Sequence, residues 1–176
     1  MKSLNPEVTM KSRQSFIFLA VLLLAHGVSG ADNTARVSSV NGRVTFSSSP
    51  TAPFVPLVAG AELPIGTRVR TGSDGTALII VVSGAAIRVS ESSEVTIDAM
   101  SSDAAKRKAL VSIKSGTVSA LIDPKRSKQT DFKIQTPQGI AAARGTFYGV
   151  TVKKGKTFVG VKKGKVGVAH TRDDRT

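Results

Sequence analysis

The stretch Thr136–Val150, which reads TPQGIAAARGTFYGV, decides the fold of this chain. Its one run of helix-forming residues, IAAAR, is interrupted on both sides by glycines. An isolated helix needs about 12 residues to be stable in water, so this run is too short to form one. From Tyr148 onward, apolar residues alternate with small or polar ones, which is the period of a half-buried strand. The stretch therefore predicts strands that enter and leave tight turns.

These residues resemble the C-terminal signature of the FecR domain, a family of bacterial envelope proteins. The resemblance implies a domain outside the inner membrane that takes part in signal sensing or relay, often behind a cytoplasmic anti-sigma segment. This sequence shows no such segment, so we expect a stand-alone, secreted FecR-like domain. The positions that carry the signature are Thr136, Pro137, Arg144, Gly145, Thr146, Tyr148 and Val150.

An earlier set of residues resembles the N-terminal part of the same domain. Gly60 and Gly66 are followed by Thr71-Gly72, then by an apolar strand, a glycine and an alternating strand. The likeness thus spans residues 36–170. The chain departs from the family pattern at Ser83, where an acidic residue is common, and at Phe147, which adds a second aromatic side chain.

The N-terminus has the pattern of a secretory signal. Lys11 and Arg13 precede an apolar run at 16–25, and Val28-Ser29-Gly30 places small residues before Ala31. We predict a signal peptide over the first 30 residues, cleaved near Gly30, and a periplasmic or secreted mature protein. Met10 begins a more compact signal than Met1 does.

The apolar run is shorter than the roughly 20 residues that cross a bilayer. No stable membrane span is therefore expected, with an uncleaved membrane anchor as the alternative. We predict one domain over residues 36–170 and a disordered polar tail at 171–176. The chain has no cysteine, so disulfides and lipid attachment at cysteine are excluded and stability must come from a core.

Glycine spacing and alternating apolar residues predict an all-β fold, a compact antiparallel sandwich or β-roll of short strands and hairpins. Little or no helix is expected after the signal peptide, at most one turn within 99–108. Arg68-Val69-Arg70 predicts an inward valine between outward arginines. Residues 77–82 are apolar on both faces, which predicts the central strand.

Four further segments carry strand patterns. We predict an opening strand or hairpin at 36–46, a hairpin joining Ile87–Val89 to Val95–Ile97, and two short strands around a turn at Lys114–Gly116. A three-stranded meander is expected over 148–170. Residues 113–118 also resemble 161–166, but this internal similarity is too degenerate to predict a solenoid.

The formal net charge is +13, and the grouped part of it is a repeat of Lys-Lys-Gly-Lys nine residues apart. Solubility is the simplest interpretation, and binding of anionic envelope polymers or lipids is the alternative. An export signal argues against nucleic acid as partner. The turns of a meander lie at opposite ends, so the lysines need not form one patch. The candidate anion-binding residues are Lys153, Lys154, Lys156, Lys162, Lys163 and Lys165.

No catalytic set is found in the sequence. After cleavage, His170 is the one histidine, and neither a cysteine nucleophile nor a zinc-binding pair exists. Lys114-Ser115-Gly116 is interpreted as a turn, and Arg144, in an otherwise apolar stretch, as a structural cation that bonds carbonyls or a carboxylate. We therefore expect no enzyme activity, no metal and no cofactor.

Two functions remain open. The first is a non-catalytic periplasmic domain that mediates protein interaction or signal sensing, with an unidentified envelope protein as its partner. The alternative is a protein that binds envelope polysaccharide or another anionic polymer through its basic face.

Overall fold

The computed structural model describes residues 34–103, 105–143 and 147–170. The predicted signal peptide and polar tail lie outside these ranges, as do Arg144, Gly145 and Thr146 of the family signature. The strands are β1 (Thr34–Asn41), β2 (Val44–Ser47), β3 (Val55–Pro56), β4 (Glu62–Pro64), β5 (Arg68–Thr71), β6 (Thr76–Val82), β7 (Ala85–Val89), β8 (Glu94–Ser102), β9 (Arg107–Ile122), β10 (Thr130–Thr136), β11 (Gly139–Ala143), β12 (Phe147–Lys153), β13 (Lys156–Lys163) and β14 (Val166–His170). A 3₁₀ helix, Pro124–Gln129, precedes β10.

The strands form one curled sheet with two arms that share β9. Sheet A has the order β4-β1-β6-β7-β9-β12-β13. Sheet B has the order β3-β2-β5-β8-β9-β10-β11-β14. Buried side chains from both arms form a single hydrophobic core. The all-β prediction is confirmed, as is an inward Val69 between more exposed arginines.

Strand β9 passes from one arm to the other at Gly116. Its first half pairs with β8 and β10 in sheet B, and its second half pairs with β7 and β12 in sheet A. Gly116 has a φ of +90°, which residues with a Cβ rarely adopt. The prediction of two short strands around Lys114–Gly116 was wrong, because this glycine bends the strand without ending it.

The crossing of β9 also produces the one parallel pair among the described strands. Because β9 ends in sheet A, the chain returns through the 3₁₀ helix to sheet B, where β10 runs parallel to the first half of β9. Asp123 caps this helix by accepting a hydrogen bond from the Lys125 backbone N–H at 2.9 Å. All other pairs among the described strands are antiparallel, as predicted.

Three predicted hairpins are corners between the two arms. Strands β1 and β2 lie in different sheets, and so do β7 and β8, and β13 and β14. The hairpin predicted at 87–97 and the third strand of the 148–170 meander were therefore wrong. At 36–46 the opening strand is confirmed as β1, and the alternative of a hairpin is not. Gly164, at the last corner, has a φ of +99°. Gly164 occupies the same position in 161–166 as Gly116 does in the similar segment 113–118. This internal similarity therefore marks two places where the chain changes sheets.

Candidate docking surfaces and the family signature

Thr136 of the family signature holds the turn between β10 and β11. Its hydroxyl donates to the Gly139 carbonyl at 3.0 Å. The same oxygen accepts hydrogen bonds from the backbone N–H groups of Gln138 and Gly139, at 3.2 and 3.1 Å. Pro137 lies within this turn, and Thr136 is buried. These two signature positions are therefore structural.

Tyr148 and Val150 of the signature lie in the core. Both side chains have 0% exposure. The Tyr148 hydroxyl is buried and has no hydrogen-bond partner among the described residues. Burial raises the pKa of this phenol well above its usual range, because the phenolate would lose its hydration. Neither residue is placed to contact a ligand from solvent.

The phenol of Tyr148 gives a direct test of this burial. An exposed tyrosine ionises near a pKa of about 10. In the folded protein we expect no phenolate absorbance at about pH 11, one unit higher, and its appearance on unfolding in denaturant. Tyr148 is the single tyrosine and the chain has no tryptophan, so the signal has one source.

The raised pKa of Tyr148 also determines how the stability of the fold depends on pH. The unfolded chain loses the proton first, so this group stabilises the fold below about pH 10 and the stabilisation falls as the pH rises further. A folded protein that titrates with the ordinary pKa would contradict the buried position of the ring.

The lysines form two clusters at opposite ends of β13. The first belongs to the β12–β13 hairpin, where Lys154 and Gly155 have φ of +51° and +70°, as in a type I′ turn. The second, at 162–165, belongs to the corner before β14. Lys156 and Lys162 are six residues apart on an extended strand, about 20 Å. Because the Debye length is about 8 Å at physiological salt, the clusters act separately.

Acidic side chains are confined to the earlier part of the described chain. Glu94 pairs with Arg70 at 3.0 Å and with Lys114 at 3.8 Å. Within the described ranges, no three histidine, cysteine or acidic side chains are grouped to hold a metal ion. From residue 132 to 172 the sequence has no acid at all. The C-terminal end of the domain is therefore purely basic.

The outer face of sheet A carries an apolar row that the sequence interpretation missed. Ile80 lies beside Ala86, Ala86 beside Leu121, and Leu121 beside Phe147, across β6, β7, β9 and β12. Ile80, Leu121 and Phe147 are 43%, 56% and 38% exposed. Strand β6 was expected to be buried on both faces, but Leu78 and Ile80 face solvent. We call Ile80, Ala86, Leu121 and Phe147 the outer apolar row.

Cations stand at both ends of this row. Arg36 pairs with Ile80 at one end, and Lys162 is the cation at the other. The Lys162 Nζ atom lies 5.7 Å from the centre of the Phe147 ring. An apolar centre with a charged border is the composition of a protein-docking surface.

The architecture defines the class of the protein, a two-armed all-β domain built around one shared strand. The family model described as "FecR protein" matches residues 67–167, more than half of the chain, and the chain belongs to this family. The family is associated with the bacterial envelope and with signal transduction in general terms. No curated protein and no solved structure matches the chain. Among the described residues, no helix is long and apolar enough to cross a membrane.

Proposed function

We propose that this chain is a non-catalytic, periplasmic FecR-family domain that docks an envelope protein on the outer face of sheet A and so takes part in signal sensing. The outer apolar row carries this proposal. Its three large, exposed side chains follow one another in register across four neighbouring strands, with Ala86 between Ile80 and Leu121. Exposed apolar patches of this kind mark interaction sites. The export signal in the sequence and the envelope association of the family support the location.

Charge at the border of the row indicates the partner's chemistry. Arg36 and Arg88 lie beside Ile80 and Leu78, and Lys162 lies over Phe147. A partner with an apolar centre and acidic residues around it complements this surface. Binding centred on apolar contacts is expected to survive moderate salt, because screening weakens only the charged border.

The alternative, binding of an anionic polymer, is less well supported by the geometry. It relies on the two lysine clusters acting together, and they are separated by more than two Debye lengths along β13. Neither cluster lies on the outer apolar row except through Lys162.

Site-specific photo-crosslinking in the cell envelope tests the docking surface. A photoreactive residue at Phe147 should yield an adduct with one envelope protein, and the substitution Leu121→Ser should reduce the yield about tenfold or more, as expected for a hot-spot truncation. The same photoreactive residue placed at position 58 is a matched control, because Val58 is an apolar side chain that is 64% exposed and lies outside the row.

Reversal of Lys153 and Lys154 to glutamate should leave this adduct unchanged. Equal yields from Val58 and Phe147 would contradict the proposal. Polymer binding would be favoured by an adduct whose yield is unchanged in Leu121→Ser. In that case the adduct should disappear at moderate salt or when Lys153 and Lys154 are changed to glutamate.

A further inference from the structure

The two arms of the domain are unequal at one end. On the N-terminal side of β9, both arms have four strands: β7, β6, β1 and β4 in sheet A, and β8, β5, β2 and β3 in sheet B. On the other side, sheet B has β10, β11 and β14, whereas sheet A has β12 and β13. Within the described residues, sheet A is therefore one strand short opposite β14.

This difference leaves core-facing side chains uncovered. Val168 pairs with the buried Ala141, so both lie on the inner face of sheet B, yet Val168 is 62% exposed. Val161 pairs with the buried Tyr148 on the inner face of sheet A and is 45% exposed. A groove of about 400 Å³ opens here, lined by Val159 and Val168 among other residues. We call it the terminal groove.

The opposite end of the domain is closed by the chain itself. Leu57 follows β3 and is 4% exposed, and its backbone N–H donates to the Val44 carbonyl at 2.9 Å. Ala61 packs against the core from the same loop. The terminal groove has no such cover among the described residues.

Neither residues 171–176 nor a second copy suits the terminal groove. Residues 171–176 read TRDDRT and contain no apolar side chain to fill it. A two-fold contact through this end would bring the lysine clusters of both copies together. Because no acid occurs from 132 to 172, nothing there would neutralise them.

We propose that the free edge of β13 accepts an extended segment of another protein, which adds to sheet A as a further strand and covers the terminal groove. Edge strands bind extended peptides through their unpaired backbone N–H and C=O groups. Strand β13 is paired with β12 alone among the described strands. An added strand would occupy the position that sheet A lacks opposite β14.

The side chains along β13 define the sequence class of this segment. Lys156 stands at the start of the strand and Lys162 near its end, and Val159 and Val161 lie between them on the inner face, opposite the buried Val150 and Tyr148. A complementary segment is apolar at alternate positions in its middle and acidic at both ends. This site shares Lys162 with the border of the outer apolar row, but it includes none of the four residues of the row.

A synthetic peptide tests this inference. The probe is a fluorescent, end-capped Glu-Glu-Val-Thr-Val-Thr-Val-Thr-Glu-Glu peptide, measured by fluorescence anisotropy with the full mature chain. We expect saturable one-to-one binding that is at least about tenfold weaker when alternate backbone nitrogens of the peptide are methylated. Methylation removes the N–H donors that a strand ladder needs and leaves the side chains in place.

Variants of the protein locate the bound peptide. Val168→Glu, at an exposed position, and the double change Lys156→Glu with Lys162→Glu should each weaken binding about tenfold or more, with melting curves unchanged. Leu121→Ser should leave peptide binding unchanged, although it is expected to remove the envelope adduct described above. The two proposals therefore fail independently.

Three results would overturn the inference. One is the absence of saturable binding. Another is binding that is indifferent to backbone methylation, which would indicate attraction between charges alone. The third is a stable dimer in sedimentation that Val168→Glu dissociates, because a second copy would then occupy the terminal groove.

Discussion

Gly116→Ala is expected to lower the free energy of unfolding by about 3 kcal/mol or more, through backbone strain and a collision in the core. A Cβ at this position would lie 2.2 Å from the Ser93 Oγ atom and 2.5 Å from the Ser93 Cα atom. Ser93 has little room to retreat. Its backbone N–H donates to the Thr71 hydroxyl at 2.9 Å, and its carbonyl accepts from the Thr71 N–H at 3.0 Å.

Denaturant unfolding of matched glycine variants separates the two causes. Gly155 has a φ of +70°, and a Cβ added there would meet no atom within 4 Å, so Gly155→Ala should cost only about 1 kcal/mol of strain. Gly160 has open space and no positive φ, so Gly160→Ala should be close to neutral. Equal losses for Gly116→Ala and Gly155→Ala would show that contact with Ser93 does not fix the bend of β9.

The sequence predicted which residues are strands and which of their faces point inward. Ile87 and Val95 were expected to be buried, and both have 0% exposure. Their partners were not predictable in the same way. Two alternating strands joined by a turn bury the same residues whether they pair with each other or face each other across a core. The corners that join the two arms were therefore mistaken for hairpins.

Strand β9 shows the same ambiguity in another form. A glycine between two alternating segments indicates a turn when its neighbours pair with each other. Here Ser115 pairs with Glu94 in one arm and Gly116 pairs with Val152 in the other, so the strand continues through the bend. This outcome depends on contacts between distant parts of the chain, which the local pattern does not contain.

The candidate surfaces were predictable only in part. The lysine repeat was visible in the sequence, and its division into two clusters was anticipated. The outer apolar row was not, because Ile80, Leu121 and Phe147 come from three separate strands and each looks like an ordinary strand residue. The terminal groove becomes apparent only when the strands of both arms are counted on either side of β9.

Tyr148→Ala is expected to lower the free energy of unfolding by about 3–5 kcal/mol, the usual cost of removing a large ring from a packed core. The side chain is fully buried and its strand joins β9 to β13. For Tyr148→Phe, in contrast, the free energy of unfolding should stay within about 1 kcal/mol of that of the unsubstituted protein, or increase. It removes a buried hydroxyl without a described partner and keeps the ring.

Denaturant unfolding followed by far-ultraviolet circular dichroism suits both variants, because it does not need the tyrosine signal. A small loss for Tyr148→Ala would contradict the central position of this ring in the core. A loss of more than about 1 kcal/mol for Tyr148→Phe would show that the hydroxyl has a hydrogen-bond partner, since buried tyrosines usually have one. The expected order, with phenylalanine tolerated and alanine not, makes the aromatic position of the family signature a packing requirement and leaves binding to the exposed surfaces.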